Sequence, residues 1–158
     1  MGVDVFLKVG DIQGESTDAK HAGEIEVVSW AWGILQTGSI APAGGGGAGR
    51  VTFTDLSFTH TTDRASPLLM KACATGQHIK DATLVVRKAG KGQHEYLVIK
   101  MSDVTITSVQ AAGAREQLTE NVSMKFALVD VEYRHQRADG SPDDGVRFTY
   151  DIENNREA

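Results

Sequence analysis

The residues most suggestive of chemistry are the glycines of APAGGGGAGR, residues 41–50. Gly44, Gly46 and Gly49 satisfy G-x-G-x-x-G, the pattern of a dinucleotide phosphate cradle, and the interval from Gly44 to Gly49 is that of a P-loop. Both cradles need a helix directly after the glycines, because its N-terminus supplies the amides that bind phosphate. A strand pattern follows here, and the Lys and hydroxyl residue that end a P-loop are absent. We therefore interpret the segment as a flexible connection between strands.

The histidines and the single cysteine give no metal signature. No histidine pair has zinc spacing, and Cys73 has no C-x-x-C partner. We expect the histidines to be solvated surface residues and Cys73 to pack on the apolar side of a helix. The histidines are His21, His60, His78, His94 and His135.

No catalytic constellation rises above background either. Ser, His and Asp all occur, but there is no G-x-S-x-G elbow and nothing assembles a triad. Acidic residues concentrate at 11–26 and 139–144 without EF-hand spacing, so solvation and turn formation explain them. An enzyme or small-ligand barrel would need a pocket with convergent titratable groups, which the sequence does not indicate. We predict no catalytic, cofactor-binding or metal site.

Length and charge narrow the class of protein further. With 158 residues the chain is about the size of one domain. It carries 16 Lys plus Arg against 21 Asp plus Glu, without a basic stripe, so we expect no nucleic-acid partner. No apolar run is long enough to span a membrane. The start, MGVDVFLKVG, lacks a basic region and has charges within its apolar run, so we expect no Sec signal peptide and export, if any, by another route.

A period of two dominates the elements that position these residues. About eight strands are predicted, with one helix at SPLLMKACATG, where Ser66 suits the N-cap, Pro67 the first turn and Gly76 the left-handed C-terminal position. The fold class is mainly antiparallel β, a barrel or a sandwich of two sheets, with one flanking α-helix. The apolar phase slips near Asp55, which predicts a bulge in that strand. The predicted strands are VDVFLKV, EIEVVSWAWGILQ, RVTFTDLSFTH, DATLVVRK, HEYLVIKM, DVTITSVQ, NVSMKFALVDVEYRHQ and VRFTYDI.

The second strand has two unlike faces. Trp30 and Trp32 share one face and are expected to anchor the core. Ser29, Ala31 and Gly33 lie on the other, which is small and nearly featureless. Such a face either lets another molecule approach closely or is an outward face under a loop, and the residues leave both interpretations open.

Strand edges and the glycine-rich loop both suggest assembly. A partly open barrel has edges that need pairing or covering, and the protective Pro and Lys residues are sparse here. The loop at 37–49 could extend up to roughly 40 Å, enough to reach a neighbouring molecule. Its glycines would make ordering costly unless a partner fixes it.

In the order and spacing of its segments, the chain resembles the haemolysin-coregulated protein (Hcp) family of the bacterial type VI secretion system, which is related to phage tail-tube proteins. The resemblance covers nearly the whole chain. The segments that carry it are VDVFLKVGDIQGEST, HAGEIEVVSWAWG, QTGSIAPAGGGGAGRV, DLSFTHTTDRASPLLMKACATG, LVVRKAGKGQHEYLVIKM and LTENVSMKFALVDVEY.

The resemblance implies that residues 1–158 form a single tube domain that assembles as a hexameric ring with a wide channel, and that such rings stack into a tube. The family's extended inter-subunit loop matches residues 37–50, and a strand of its channel wall matches SWAWG. Ser29 and Ala31 are thereby the candidate lumen-facing residues. The candidate inter-subunit loop residues are Thr37, Gly38, Ser39, Ile40, Gly44, Gly45, Gly46, Gly47 and Arg50.

The same resemblance implies a non-enzymatic structural subunit that the machine exports and that carries effectors in its lumen. The implied partners are further copies of the chain, the type VI spike and sheath proteins, and small effector proteins. The implied location is the bacterial cytoplasm before export and the extracellular space afterwards. The alternative is the tail-tube protein of a phage-derived contractile particle.

Overall fold

The structure is a computed structural model that describes residues 2–37, 50–90 and 92–158. This part of the chain contains eleven strands and one helix, and all of the paired strands are antiparallel. The elements are β1 (Val3–Val9), β2 (Ile25–Glu26), β3 (Ser29–Ala31), β4 (Ile34–Thr37), β5 (Arg50–Phe53), β6 (Leu56–Thr61), α1 (Ser66–Thr75), β7 (His78–Lys88), β8 (Glu95–Gly113), β9 (Leu118–Tyr133), β10 (Val146–Asp151) and β11 (Arg156–Glu157). The mainly antiparallel class with one helix is confirmed.

Nine strands form one sheet that curls on itself. Along it the order is β11, β10, β9, β8, β7, β1 and β2, while β6 pairs with the first half of β9 and with β3. Between β2 and β3, the amide of Val27 donates to the carbonyl of Val5 in β1 (2.9 Å), and the amide of Val28 donates to that of Thr59 in β6 (2.8 Å). The short segment of residues 25–31 therefore closes the barrel between β1 and β6.

Alternating side chains of these strands fill the barrel interior. Leu7, Phe58, Leu84, Met101 and Val122 come from five different strands and are each 0% exposed. The residues between them in sequence point outward, as the two-residue period of a strand requires. Burial in the barrel thus fixes which face of each wall strand is turned outward, although on β1 and β7 part of that outer face is covered, since Phe6 and Val85 are only 3% and 6% exposed.

The helix α1 packs against β8 through Leu69 and Ala72, both fully buried. Its C-terminal prediction is confirmed, because Gly76 has φ 65° and its amide bonds to the last turn. The predicted N-cap is wrong by one residue. Ala65 is the cap and Ser66 is the first helical residue, whose hydroxyl accepts a hydrogen bond from the amide of Asp63 (3.1 Å).

Three sequence predictions about strand continuity are also wrong. HEYLVIKM and DVTITSVQ, predicted as two strands, both belong to β8 (Glu95–Gly113). The single strand predicted over residues 24–36 is three strands, β2, β3 and β4, which belong to different pairings. The phase slip near Asp55 is no bulge, because the chain there leaves a separate two-stranded ribbon of β4 and β5 and enters β6 of the barrel. A period of two does not reveal that a chain changes sheet, since both sheets keep the same alternation.

Candidate functional site

The two candidate lumen residues lie on the outside of the barrel wall. Ser29 and Ala31 are exposed, and Trp30 between them is half-buried against the core. Pairing of β3 with β6 sets Ser29 opposite Thr59 and Ala31 opposite Ser57. The contrast between the two faces of this strand, inferred from the sequence, is present in the structure.

Strand register extends this outer face across four strands. One row continues from Thr59 to Asn121 and Gln110, and the next continues from Ser57 to Ser123 and Ser108. We call these eight residues the small polar face. Its members are Ser29, Ala31, Ser57, Thr59, Ser108, Gln110, Asn121 and Ser123.

Hydrogen bonds within the small polar face pair some of its polar groups with one another. The hydroxyls of Ser57 and Ser123 are 3.0 Å apart, and the side-chain amide of Asn121 donates to the hydroxyl of Thr59 (3.0 Å). None of the eight members carries a charge or a group that titrates near neutral pH. The face therefore lacks a general base that could activate its hydroxyls, and its chemistry is that of a contact surface. Only Ser29 and Ala31 were found from sequence, because the other six residues come together solely through long-range register.

The second candidate region is the ribbon of β4 and β5, residues 34–37 and 50–53, which we call the arm. All four residues of β4 are exposed, including Ile34 at 43% and Leu35 at 57%. At the far end the hydroxyl of Thr37 donates to the carbonyl of Arg50 (3.0 Å). At the base, Thr54 exchanges hydrogen bonds with Gly33 through its hydroxyl and its amide, at 2.9 to 3.2 Å.

Thr37 and Arg50, two of the predicted loop residues, are thus the exposed last pair of the arm's ladder. The rest of the predicted loop set lies outside the described residues. It consists of Gly38, Ser39, Ile40, Gly44, Gly45, Gly46 and Gly47.

A buried arginine pins the long connection between β1 and β2 to the barrel. Arg87 is 2% exposed, and its guanidinium makes two bonds to the carboxylate of Asp18 (2.8 and 2.9 Å) and one to Asp4 (3.1 Å). It also lies 4.8 Å from the ring centre of Phe6. The hydrogen bonds from Arg87 lower the pKa of Asp18 from 3.8 to about 2, and the pKa of Arg87 itself is raised, chiefly by Asp18. No sequence pattern indicates this cluster, because Arg87 lies about seventy or more residues from both of its carboxylate partners.

A second buried pair of polar side chains lies inside the barrel. Nε2 of His60 is 2.7 Å from a carboxylate oxygen of Glu120, and both side chains are 0% exposed. Next to them, burial raises the pKa of Asp63, whose carboxylate accepts the amide of Ala65 (2.8 Å). A histidine bonded to a carboxylate is also the arrangement of a catalytic base, but these two groups have no contact with solvent and so cannot reach a substrate.

The prediction that the histidines are solvated is wrong for three of them. His21, His60 and His94 are 7%, 0% and 9% exposed. His21 contacts Glu24 (3.0 Å) and Glu95 (2.7 Å), and Nε2 of His94 is 2.8 Å from a backbone carbonyl oxygen. These contacts pair both ring nitrogens of His21 and one of His94, whereas Nδ1 of the buried His60 has no hydrogen-bond partner.

Metal and membrane chemistry receive no support from the described residues. Among them, no group of three or more His, Cys, Asp or Glu side chains is arranged to hold a metal ion. No helix in the same part of the chain has the length and hydropathy needed to cross a membrane. What the structure offers is a pair of surfaces, the small polar face and the arm.

Comparisons with known proteins define the class first by fold. The crystal structure of Hcp1 from Salmonella typhimurium matches with a TM-score of 0.84 and 40% identity over 100% of both chains. The crystal structure of a type VI secretion system effector from Yersinia pestis matches with a TM-score of 0.78 and 34% identity, over 94% of this chain and 100% of that one. The barrel, its helix and its arm therefore have the fold of Hcp proteins.

Sequence comparison gives the family directly. The family model described as "Type VI secretion system effector, Hcp" matches residues 6–133. Protein hcp1 of Pseudomonas aeruginosa is 48% identical over 162 residues, covering 100% of both chains. The chain belongs to the Hcp family of type VI secretion proteins. This is a family of secreted components of the system and not of enzymes, which fits a site built from contact surfaces.

Proposed function

We propose that this protein, over residues 1–158, is a tube subunit of the type VI secretion system. Six copies form a ring with a central channel, rings stack into a tube, and the tube is exported with effectors held in the channel. The further partners are the spike and sheath proteins of the same machine. The subunit starts in the bacterial cytoplasm and ends outside the cell. The observation that carries the assembly proposal is the uncovered arm.

The arm supports self-assembly because it is incomplete by itself. An isolated two-stranded ribbon is at best marginally stable in water. Leu35, the most exposed side chain of the ribbon's apolar residues, is on the same face as Thr37, Thr52 and Arg50, and all four are exposed. A second copy of the chain that packs on this face would bury it. We propose that residues 37–50 extend this contact to a neighbouring subunit.

The small polar face supports the channel-wall assignment. We propose that Ser29 and Ala31 face the lumen together with the six residues that register sets beside them. Side chains of this size leave the channel wide, and an uncharged face presents no fixed charge that would select one cargo by electrostatics. A surface of this kind suits the passage or storage of effectors that differ from one another. The family match favours the type VI tube over the phage-particle alternative, because its description names the type VI system.

The test is the mass and shape of the purified full-length chain. Native mass spectrometry and negative-stain images should show a six-membered ring at micromolar concentration. A variant that lacks Gly44 to Gly47 should keep the thermal stability of the monomer but associate more weakly, because the shortened loop reaches less far. A chain that stays strictly monomeric at high concentration would refute the tube assignment, and unchanged rings in the deletion variant would refute the role of residues 37–50.

A further inference from the structure

Five aromatic side chains form a cluster between the arm and the C-terminal part of the barrel. Trp32 precedes the arm, Phe53 is the arm's last residue, Phe126 is on β9, and Phe148 and Tyr150 are on β10. All of them except Phe126, which is buried, are half-buried. The arm therefore meets the barrel through rings that come from three separate parts of the chain.

The ring geometry shows that these contacts are attractive. Ring centres are 6.0 Å apart for Trp32 with Phe53, 6.0 Å for Trp32 with Phe126, and 5.0 Å for Phe53 with Tyr150. Phe148 lies 5.9 Å from Tyr150. Offset or tilted aromatic pairs at about 4.5–7 Å are favourable beyond the area that they bury. Phe53 is the member that the arm contributes, and Tyr150 is its nearest aromatic partner.

Two other contacts join the flanks of the arm to the barrel, since Trp32 packs on Phe126 (6.0 Å) and the hydroxyl of Thr107 in β8 donates to the carboxylate of Asp55 (2.7 Å). Both flanking residues lie outside the ribbon, whereas Phe53 belongs to it. The hydrogen bonds of Gly33 and Thr54 join the two strands of the arm to each other, so they set its width and not its direction. Gly33 has no side chain to restrict the backbone where the chain enters the arm. The contact between Phe53 and Tyr150 joins the arm itself to the barrel and so restricts its movement about Gly33.

We infer that Tyr150 is a positioning residue that fixes the direction of the arm and so prepares it for a second copy of the chain. The inference rests on the proposed function only for this second clause. An arm held in its binding direction loses less conformational freedom on association than one that swings, which strengthens association. The hydroxyl of Tyr150 donates to Asn155 (2.9 Å), in the turn between β10 and β11. Tyr150 thereby contacts both the arm and the turn of the C-terminal hairpin.

A distance measurement inside one chain tests the positioning role. Spin labels are attached to Leu35→Cys on the arm and Lys100→Cys on the barrel, in the full chain with Cys73→Ser, and the labelled protein is diluted with unlabelled protein. Tyr150→Ala should broaden the distance distribution at least about twofold relative to the parent, while Tyr150→Phe, which keeps the ring and loses the hydroxyl, should leave it narrow. An equally narrow distribution in Tyr150→Ala overturns the inference.

Self-association provides the second measurement. By sedimentation velocity, Tyr150→Ala should raise the concentration needed for assembly at least about fivefold, because two aromatic pairs are lost, and Tyr150→Phe should restore the parental value. Tyr133→Ala is the matched control, since Tyr133 is an exposed tyrosine of the same sheet outside the cluster, and it should change neither measurement. A broadened arm with unchanged assembly would overturn the link between direction and association.

A variant on the arm side serves as a control in case Tyr150→Ala misfolds the C-terminal hairpin. Phe53→Leu removes the same aromatic contact without touching the barrel strands, and it should reproduce the effects of Tyr150→Ala with unchanged far-UV circular dichroism. A narrow distribution in Phe53→Leu counts against the inference in the same way. If the parent chain does not associate at all, the tube assignment fails, whereas the spin-label distances still decide whether Tyr150 directs the arm.

Discussion

The barrel and the arm are both built of antiparallel strands that carry apolar side chains, and they differ in what covers those side chains. Along the barrel strand β6, Leu56, Phe58 and His60 are 0% exposed, so the chain covers its own apolar face. Along β4 every residue is exposed, although Ile34 and Leu35 are as apolar as the core. An apolar side chain on a strand is therefore expected to be buried, but the strand does not say which molecule buries it. In the barrel the covering surface is in the same chain, and for the arm we assign it to another copy.

The largest expected effect comes from emptying the barrel at Phe58. Phe58→Ala should lower the free energy of unfolding by about 3–5 kcal/mol, because it removes a fully buried ring and leaves a cavity. Leu35→Ala on the arm is the paired variant and should change monomer stability by less than about 0.5 kcal/mol while weakening assembly. Urea unfolding below the assembly concentration measures the free energy of unfolding of both variants. Equal losses in the two variants would mean that the arm is part of the folding core.

The next largest effect on stability is expected at Arg87. Its buried ion pair holds the connection between β1 and β2, which lies outside the barrel core. The folded-state pKa of Asp18 is depressed from 3.8 to about 2, so its ion pair stabilises the fold above pH 3.8 and this contribution is lost as the pH falls towards 2. Arg87→Met should be less stable at pH 7 and should lose less stability over that acid range. Urea unfolding between pH 2 and 7 measures the difference.

The control for the arginine experiment is Arg147→Met. Arg147 also forms ion pairs, with Asp130 (3.3 Å) and Glu132 (2.9 Å), but its side chain is 54% exposed. Solvent screens such pairs, so this change should leave stability and its acid dependence close to those of the parent. The same acid dependence in the parent and in Arg87→Met would contradict the role given to the pair of Arg87 and Asp18.

A smaller effect is expected at the base of the arm. Thr54→Val removes the hydroxyl that bonds the amide and the carbonyl of Gly33. Because both groups are exposed, water replaces the lost bonds and global stability should fall by less than about 1 kcal/mol. Hydrogen exchange at the amide of Gly33 should accelerate severalfold while amides of β8 keep their protection. An unchanged exchange rate at Gly33 would show that the hydroxyl does not hold the base together.

The smallest effect is expected on the small polar face. Ser57→Ala removes one hydrogen bond, to Ser123 (3.0 Å), at a partly exposed position and should change the free energy of unfolding by less than about 0.5 kcal/mol. Ala31→Arg at the opposing strand position should be equally harmless to folding and to ring formation but should reduce retention of effectors. Thermal unfolding and co-purification of an effector with the ring measure the two properties. Full retention of the effector by Ala31→Arg would contradict the assignment of Ser29 and Ala31 to the lumen.

Local pattern was sufficient to predict the position of the helix and of several wall strands, because their signals lie within a few residues, but it did not predict that HEYLVIKM and DVTITSVQ form one strand. The strand Val3–Val9 has the predicted bounds, and Pro67 and Gly76 lie in the first turn and at the C-terminal cap of the helix as expected. The interruptions in residues 24–36 were missed because the change from β2 to β3 depends on which strands the amides of Val27 and Val28 meet. That choice is made by residues far away in sequence.

The residues of the candidate site were likewise predicted only in part. The small face of Ser29 and Ala31 was visible from the alternation of one strand, whereas its other members appear only when four strands are in register. The burial of His60 depends on Glu120, sixty residues later in sequence. No local pattern links such partners, and composition alone favours a histidine on the surface.

Strand β9 has a consequence for load. Its sixteen residues pair with β8 along one edge, and along the other edge with β6 first and then with β10. A push on the C-terminal hairpin therefore reaches the wall beneath the small polar face through one continuous backbone and not across a joint between elements. Hydrogen bonds along both edges are loaded in parallel by such a shear, so they share the force where peeling would break them one by one. Along the direction of β9 the chain is thereby braced by hydrogen bonds on both edges, which would suit the tube subunit proposed above.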